Sequence, residues 1–265
     1  MNARIVGSGD TTLVLSHGYG GSQSMWDYVL PSLSQSNRVL LFDWSFSSAV
    51  DPSIEIFDSL KYSSLNDFAD DLISLLDEMM MEGVVYVGHS VAAMVGCIAS
   101  VRRPELFSHL VLIAASPRYL NTDDYKGGFE QKDIESMLSS IKSNFATWAK
   151  NFAPVAVGAT NPEATEKFCA SFLNMRPETA LSVAKSIFLS DWREILGEVE
   201  IPCTIVQGDN DICVPVSVAN YMKSKIKGEV MMVEIVEGDG HFPQLTSPKR
   251  LLDVIERVLV LIKLV

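Results

Sequence analysis

The run Val84-Val85-Tyr86-Val87-Gly88-His89-Ser90-Val91-Ala92 decides the fold. Residues 84–87 are β-branched or aromatic, which suits a buried strand, and residues 91–99 are small and apolar, which suits a helix that packs closely. A serine between such a strand and such a helix stands at the apex of a nucleophile elbow. The turn needs little bulk two residues before and two after the serine. Gly88 and Ala92 meet that need, with Ala where the strict pattern has a second Gly. In isolation the pentapeptide would equally suit a serine that only caps a helix; its strand and helix flanks favour the nucleophile.

Working outward, strand-like and helix-like segments alternate. Residues 12–15 read as a strand, 23–33 as a helix, 38–43 as a strand, 65–81 as a helix with apolar residues at helical spacing, and 109–115 as a strand. Such alternation predicts an α/β fold with a mostly parallel sheet flanked by helices. The pattern breaks over 121–192, which has no convincing strand but carries helix starts at Asn161-Pro162-Glu163 and Arg176-Pro177-Glu178. Four short helices are predicted there. Met137, Ile141, Phe145, Trp148, Phe152, Phe168, Phe172, Leu181, Ile187 and Phe188 give them more large side chains than a helical hairpin needs, so they predict a lid over an active site. Any one of these residues could instead be helix-packing core. Strands at 204–207 and 230–236, a helix near 217–227 and an amphipathic helix at 247–262 then resume the core. The expected organisation is an α/β-hydrolase core of residues 1–120 and 193–265 with a helical lid at 121–192.

The composition agrees with such an enzyme. Of 265 residues, 48% are hydrophobic and 20% charged, the range of a globule with a large interior. Acidic residues outnumber basic ones, 33 to 21, for a net charge of −12, so the field repels phosphate backbones and anionic lipid. Nucleic acid and membrane are thereby excluded as expected partners. Cys97, Cys169, Cys203 and Cys213 form no CxxC pair and sit among apolar or small neighbours, which predicts free buried thiols. The first residues contain no apolar leader core, and no apolar segment reaches the ~20 residues that span a bilayer. An intracellular, reducing compartment is the expectation.

A serine hydroxyl needs a base, and the chain has 4 histidines. His17 lies in an early glycine-rich loop, His89 adjoins the serine and is expected to point away, and His109 starts a strand. His241, in Gly238-Asp239-Gly240-His241-Phe242-Pro243, follows the last predicted strand, where chain order Ser, Asp, His places the base. The orienting acid is expected at the end of the penultimate strand, in Gly208-Asp209-Asn210-Asp211-Ile212-Cys213-Val214-Pro215. Asp211 is favoured by its spacing from Val214-Pro215; Asp209, suited to a turn or cap, is the rival. For the developing oxyanion, His17-Gly18-Tyr19-Gly20-Gly21 is expected to supply the Tyr19 N–H, with the Val91 N–H as second donor. The same loop could cradle phosphate, but it lacks the Lys-Ser/Thr of a P-loop and the full dinucleotide pattern. No cofactor and no metal are expected.

The runs Ser16-His17-Gly18-Tyr19-Gly20, Gly88-His89-Ser90-Val91, residues 98–107 and Ala115-Ser116-Pro117-Arg118-Tyr119 resemble the plant strigolactone and karrikin receptor hydrolases. The likeness continues through Asp124-Tyr125-Lys126-Gly127-Gly128-Phe129-Glu130, Asn174-Met175-Arg176-Pro177-Glu178 and Gly240-His241-Phe242-Pro243-Gln244, and spans nearly the whole chain. Residues 42–47 and 194–197 look most like the third, dwarf-fourteen-like branch. The resemblance implies a V of four lid helices over an apolar pocket to which Tyr19, Tyr119, Phe129, Phe152, Phe168, Phe188 and Cys213 belong. It implies a butenolide ligand whose ring ester is attacked by Ser90, and signalling through a leucine-rich-repeat F-box protein and a Clp-ATPase-like repressor. It further implies a monomer in cytoplasm and nucleus. Tyr19 stands where better-known members usually carry Phe, and Trp44 with Phe46 replaces a glycine-containing loop. Two functions stay open, a receptor that hydrolyses slowly and an ordinary small-ester or lactone hydrolase; a non-catalytic binding protein is disfavoured by the complete serine, acid and histidine set.

Overall fold

The computed structural model describes residues 1–47, 57–158 and 160–263. In chain order its elements are β1 (Arg4–Val6), β2 (Thr12–Ser16), α1 (Leu30–Leu33), β3 (Arg38–Leu41), α2 (Leu65–Glu78), β4 (Val84–His89), α3 (Val91–Arg102) and β5 (Phe107–Ile113). There follow α4 (Gln131–Val157), α5 (Pro162–Leu173), α6 (Pro177–Phe188), β6 (Cys203–Asn210), α7 (Val216–Lys225), β7 (Val230–Asp239), α8 (Pro243–Thr246) and α9 (Pro248–Ile262). The strands form one sheet of order β1-β3-β2-β4-β5-β6-β7. Every pairing is parallel except β1 with β3.

Alternation along the strands explains the two cores. Leu13, Leu15, Val85, Val87, Val111 and Ile113 face Trp26, Leu30 and the apolar stripe of α9, Leu251 to Leu259. Val14, Leu40, Tyr86, Leu110 and Leu112 face the opposite way, against α2, α3, α7 and the inserted helices. A parallel sheet covered on both sides reads as continuous apolar runs, which is why the central strands were visible in the sequence.

The described residues depart from expectation in two places. The helix expected over 23–33 is a 3₁₀ turn, Gln23–Trp26, followed by the separate α1. Pro31 would clash with the carbonyl four residues back in a continuous helix, so the chain restarts there. The short edge strand β1 had too few residues to show a period. The four expected short helices are present: α4 is two helices joined across a kink at Asn144 (φ −157°, ψ 82°), whose Oδ1 accepts the Thr147 N–H at 3.0 Å and so caps the second limb, and α5 and α6 complete the set. Asn161 caps α5 in the same way, its Oδ1 accepting from Ala164 N–H at 3.1 Å. The insert enters after β5 and leaves before β6, two adjacent parallel strands, and therefore sits at the carboxyl end of the sheet. Among the described residues no helix is long and apolar enough to cross a membrane.

Candidate active site

Ser90 sits between β4 and α3 with φ 57° and ψ −124°, a backbone conformation that L residues rarely adopt. Its N–H donates to Ile113 O on β5 at 2.8 Å, which ties the elbow to the neighbouring strand. A Cβ on Gly88 would come within 2.8 Å of the Ala93 backbone, so helix and strand meet only because that position is bare. A second small residue matters as much: a Cβ on Gly96 would stand 2.3 Å from the Tyr86 ring, whose hydroxyl donates to Ala92 O at 2.9 Å.

The loop after β7 brings His241 over this serine. His241 Nε2 lies 2.8 Å from Ser90 Oγ, and Nδ1 lies 2.7 Å from Asp211 Oδ2. Asp211 is buried. Its Oδ1 accepts the Cys213 and Val214 N–H groups at 2.8 and 3.0 Å, and its Oδ2 also accepts from Gln207 Nε2 at 3.0 Å. Burial pushes the Asp211 pKa upward, but the His241 charge and these donors outweigh it and leave the carboxyl below its ordinary range. The carboxylate is thus held ionised beside the imidazole. Asp209, the rival acid, is exposed and accepts the Gly238 N–H at 3.1 Å, a surface turn contact away from the imidazole.

The glycine-rich loop lies against the serine. A Cβ on Gly18 would stand 3.0 Å from Ser90 Cβ, and one on Gly20 (φ 76°) would strike the Phe172 ring at 2.7 Å. Val91 N–H is the first amide of α3 and has no partner within that helix. Tyr19 turns its hydroxyl away from Ser90 and donates to Ala180 O on α6 at 2.7 Å.

Above Ser90 is a cavity of about 30 Å³, lined by Tyr19, His89, Tyr119, Phe152, Phe168, Ile187, Phe188, Cys213, His241 and Phe242. Tyr119 Oη stands 3.4 Å from Ser90 Oγ. Of the residues assigned to the pocket by resemblance, Phe129 is not on this wall: it stands behind Tyr119 and Phe188, ring centroids 6.3 and 5.8 Å away. The turn through Gly127 and Gly128 places it there, with Phe129 N–H donating to Tyr119 O at 3.1 Å. Ile187 and Phe242 line the cavity and were not singled out as pocket residues; Phe242 sits against Phe168 with centroids 4.3 Å apart.

His89 corrects an expectation. It does not point away from the site but lies beside His241, ring centroids 5.0 Å apart, with Nε2 2.8 Å from His241 O. That carbonyl can only accept, so Nε2 carries the hydrogen, and burial holds the ring neutral with its pKa down at about 3. The returning His241 loop covers the side chain, which lines the cavity together with Ser90.

The site also has a possible ligand set: Asp211, Cys213 and His241 place donor atoms within 4.8 Å of one another. An ion there would have to displace the N–H bonds that already occupy both Asp211 oxygens. Burial and the nearby Asp211 charge push the Cys213 thiol well above its ordinary pKa, against thiolate chemistry.

Residues 13–254 match the Alpha/beta hydrolase family. The chain is 44% identical to a strigolactone esterase of Arabidopsis thaliana, covering 98% of this chain and 96% of that protein. It is 42% identical to a karrikin insensitive 2 receptor of Petunia hybrida, covering 97% and 94%. The solved structure of a hydrolase from Oleispira antarctica superposes with a TM-score of 0.91 at 30% identity, covering 97% of this chain and 93% of that one. With a serine, an imidazole and a carboxylate in hydrogen-bonded sequence at the carboxyl end of its sheet, this chain is a serine hydrolase of the α/β-hydrolase family, and within it belongs with the strigolactone esterases and karrikin-insensitive receptors.

Proposed function

We propose that the protein hydrolyses a butenolide-type ester slowly and that the ligand-bound state acts as a signal, with Ser90 as nucleophile, His241 as base and Asp211 as orienting acid. The observation that carries this reading is the continuous chain Asp211–His241–Ser90, which ends in an aromatic cavity. Ser90 Oγ attacks the lactone or ester carbonyl as His241 Nε2 takes its proton; the carbonyl electrons collect on oxygen, facing the Tyr19 and Val91 N–H groups. Collapse of this intermediate expels the alkoxide, which takes the proton back from His241, and leaves an acyl-serine that water then hydrolyses by the same steps.

The small cavity supports the slow, conformationally coupled half of the proposal. Pockets that enclose drug-sized ligands measure about 300–1,000 Å³, against about 30 Å³ here. Residues 121–192 therefore act as a lid that must shift to admit a ligand. The chain is similar to relatives of both groups, at 44% and 42% identity, and the resemblance of residues 42–47 and 194–197 is what supports placing it in the third, dwarf-fourteen-like branch. By the same resemblance, a monomer in cytoplasm and nucleus would present the altered lid to a leucine-rich-repeat F-box protein and a Clp-ATPase-like repressor.

A second reading, an ordinary small-ester hydrolase, draws on the same cavity, which suits a compact acyl group without any signalling role. Mass spectrometry of wild type and Ser90→Ala after incubation with a butenolide, together with hydrogen exchange over 121–192, separates the two. An adduct that needs Ser90 and altered exchange is the expected result; rapid turnover with flat exchange and no F-box protein retained would leave only the simple hydrolase.

A further inference from the structure

We infer that His17, gripped by Trp44, is a positioning residue that sets the orientation of the oxyanion-binding peptide. This rests on the reading above that the Tyr19 N–H faces the oxyanion. Gly18 O and Tyr19 N–H belong to one peptide unit, and no peptide bond among the described residues is cis, so the two groups point in opposite directions. Whatever holds the Gly18 carbonyl therefore aims the Tyr19 N–H.

Two donors hold it. His17 Nδ1 lies 2.9 Å from Gly18 O, and Gly21 N–H donates to the same oxygen at 3.1 Å. A carbonyl only accepts, so Nδ1 carries the hydrogen and Nε2 is the acceptor, receiving the Trp44 N–H at 3.4 Å. The Trp44 indole Nε1 donates to His17 O at 2.9 Å, so one residue fixes both the ring and the backbone of His17. Both side chains are fully buried, and Trp44 is wedged among Phe42, Phe46 and Phe68 at 4.8, 6.2 and 5.9 Å. Burial lowers the His17 pKa, partly opposed by the Gly18 bond and by Asp43, whose Oδ1 is 3.7 Å from Nε2. The ring stays neutral, in the one tautomer that can make both bonds. Asp43 is itself held by the Gln23 N–H at 2.9 Å, Gln23 Nε2 at 2.8 Å and Asn2 Nδ2 at 3.0 Å. The loop's rear support thus reaches back to the start of the chain without touching the cavity.

An oxyanion donor acts on the transition state more than on bound substrate, so its misalignment lowers kcat and leaves KM. The test uses p-nitrophenyl acetate turnover and inhibition by phenylboronic acid, which forms a tetrahedral anion on a serine. His17→Phe keeps the ring contact with Phe46, at 5.9 Å, and removes both hydrogen bonds. We expect kcat to fall at least about tenfold, since loss of a whole oxyanion donor costs about 10²–10³, with KM within about twofold and boronate affinity reduced in parallel. Trp44→Phe should fall in the same direction, and the double variant should be no worse than His17→Phe alone, because Trp44 acts through His17. If Trp44→Phe does not fold, His17→Phe with a native circular dichroism spectrum carries the test. Unchanged kcat in His17→Phe, or a loss of kcat with unchanged boronate affinity, overturns the inference. Tyr19→Pro deletes the amide hydrogen itself: if it retains full kcat, the oxyanion reading fails and takes the inference with it, whereas an inactive Tyr19→Pro beside a fully active His17→Phe sinks the inference alone.

Discussion

The amide of His241 donates to the carbonyl of Ala156 at 2.6 Å, a direct bond between the loop that carries the imidazole and the last turn of α4. A movement of that helix end is therefore felt at the base. The contact exists because Gly240 (φ 83°) has no side chain: a Cβ there would lie 2.1 Å from Val157 O. Gly240→Ala must push α4 away and also strain its own backbone, at roughly 1–3 kcal/mol for the conformation alone. We expect a lower melting temperature and an esterase kcat reduced by more than the fraction of unfolded protein explains. A variant with wild-type melting and kcat would show that α4 and His241 are not coupled.

The two aspartates of the loop after β6 should separate cleanly. Asp211→Asn keeps the shape but removes the charge that stabilises the imidazolium, and a drop in kcat on the order of 10⁴ is expected. Asp209→Asn alters only the carboxylate that accepts Gly238 N–H at the surface, and kcat within about twofold is expected, as for other exposed substitutions. Steady-state kinetics on one ester decides it, and the reverse ranking would reassign the acid.

Tyr19 joins the glycine-rich loop to α6 through one hydroxyl, which donates to Ala180 O at 2.7 Å, while its ring meets Phe172 edge-on at 4.9 Å. Tyr19→Phe keeps the ring and removes a link worth about 1 kcal/mol. Amide exchange of residues 177–188 should quicken about fivefold, and ligand association should be faster. Identical exchange in the two proteins would mean that the hydroxyl does not restrain the lid.

Acid should destabilise the protein through its buried histidines. Burial lowers His89 to about 3 and His109 to about 4, against about 6.5 in the unfolded chain. Between these values the unfolded state binds protons that the folded state refuses, so stability is complete above pH ~6.5 and falls with pH, by about 1.4 kcal/mol per pH unit for each such group. Urea unfolding from pH 7 to 4.5 measures the slope. His109→Phe, which removes a ring hydrogen-bonded to Thr204 at 3.0 Å, should lower that slope by about one proton. A wild-type slope near zero would show that these rings are protonated inside the fold.

What the sequence disclosed, and what it hid, follows from the range of the forces involved. The elbow at Ser90 was legible because strand, turn and helix are contiguous and each has a local signature. His241 and Asp211 were legible because chain order in this fold restricts their place, though separating Asp211 from Asp209 required the geometry that buries one and exposes the other. Four helices in the insert were legible, but the position of the break at Asn144 was hidden, since a single cap inside a continuous apolar period leaves the period intact. So were Ile187 and Phe242, whose roles depend on how α6 and the loop before α8 fall against each other. His89 was misjudged because alternation gives its direction from the strand but not what returns to cover that face.

The positive φ of Ser90 makes its reactivity a measure of topology. The conformation is held only while β4, α3 and β5 are assembled, by the bare Gly88 and the bond to Ile113 O. A serine in the unfolded chain would relax to an ordinary backbone and become as inert as any other hydroxyl. A fluorophosphonate that labels Ser90 therefore counts native molecules one by one, and its labelling during refolding would time the closing of the sheet.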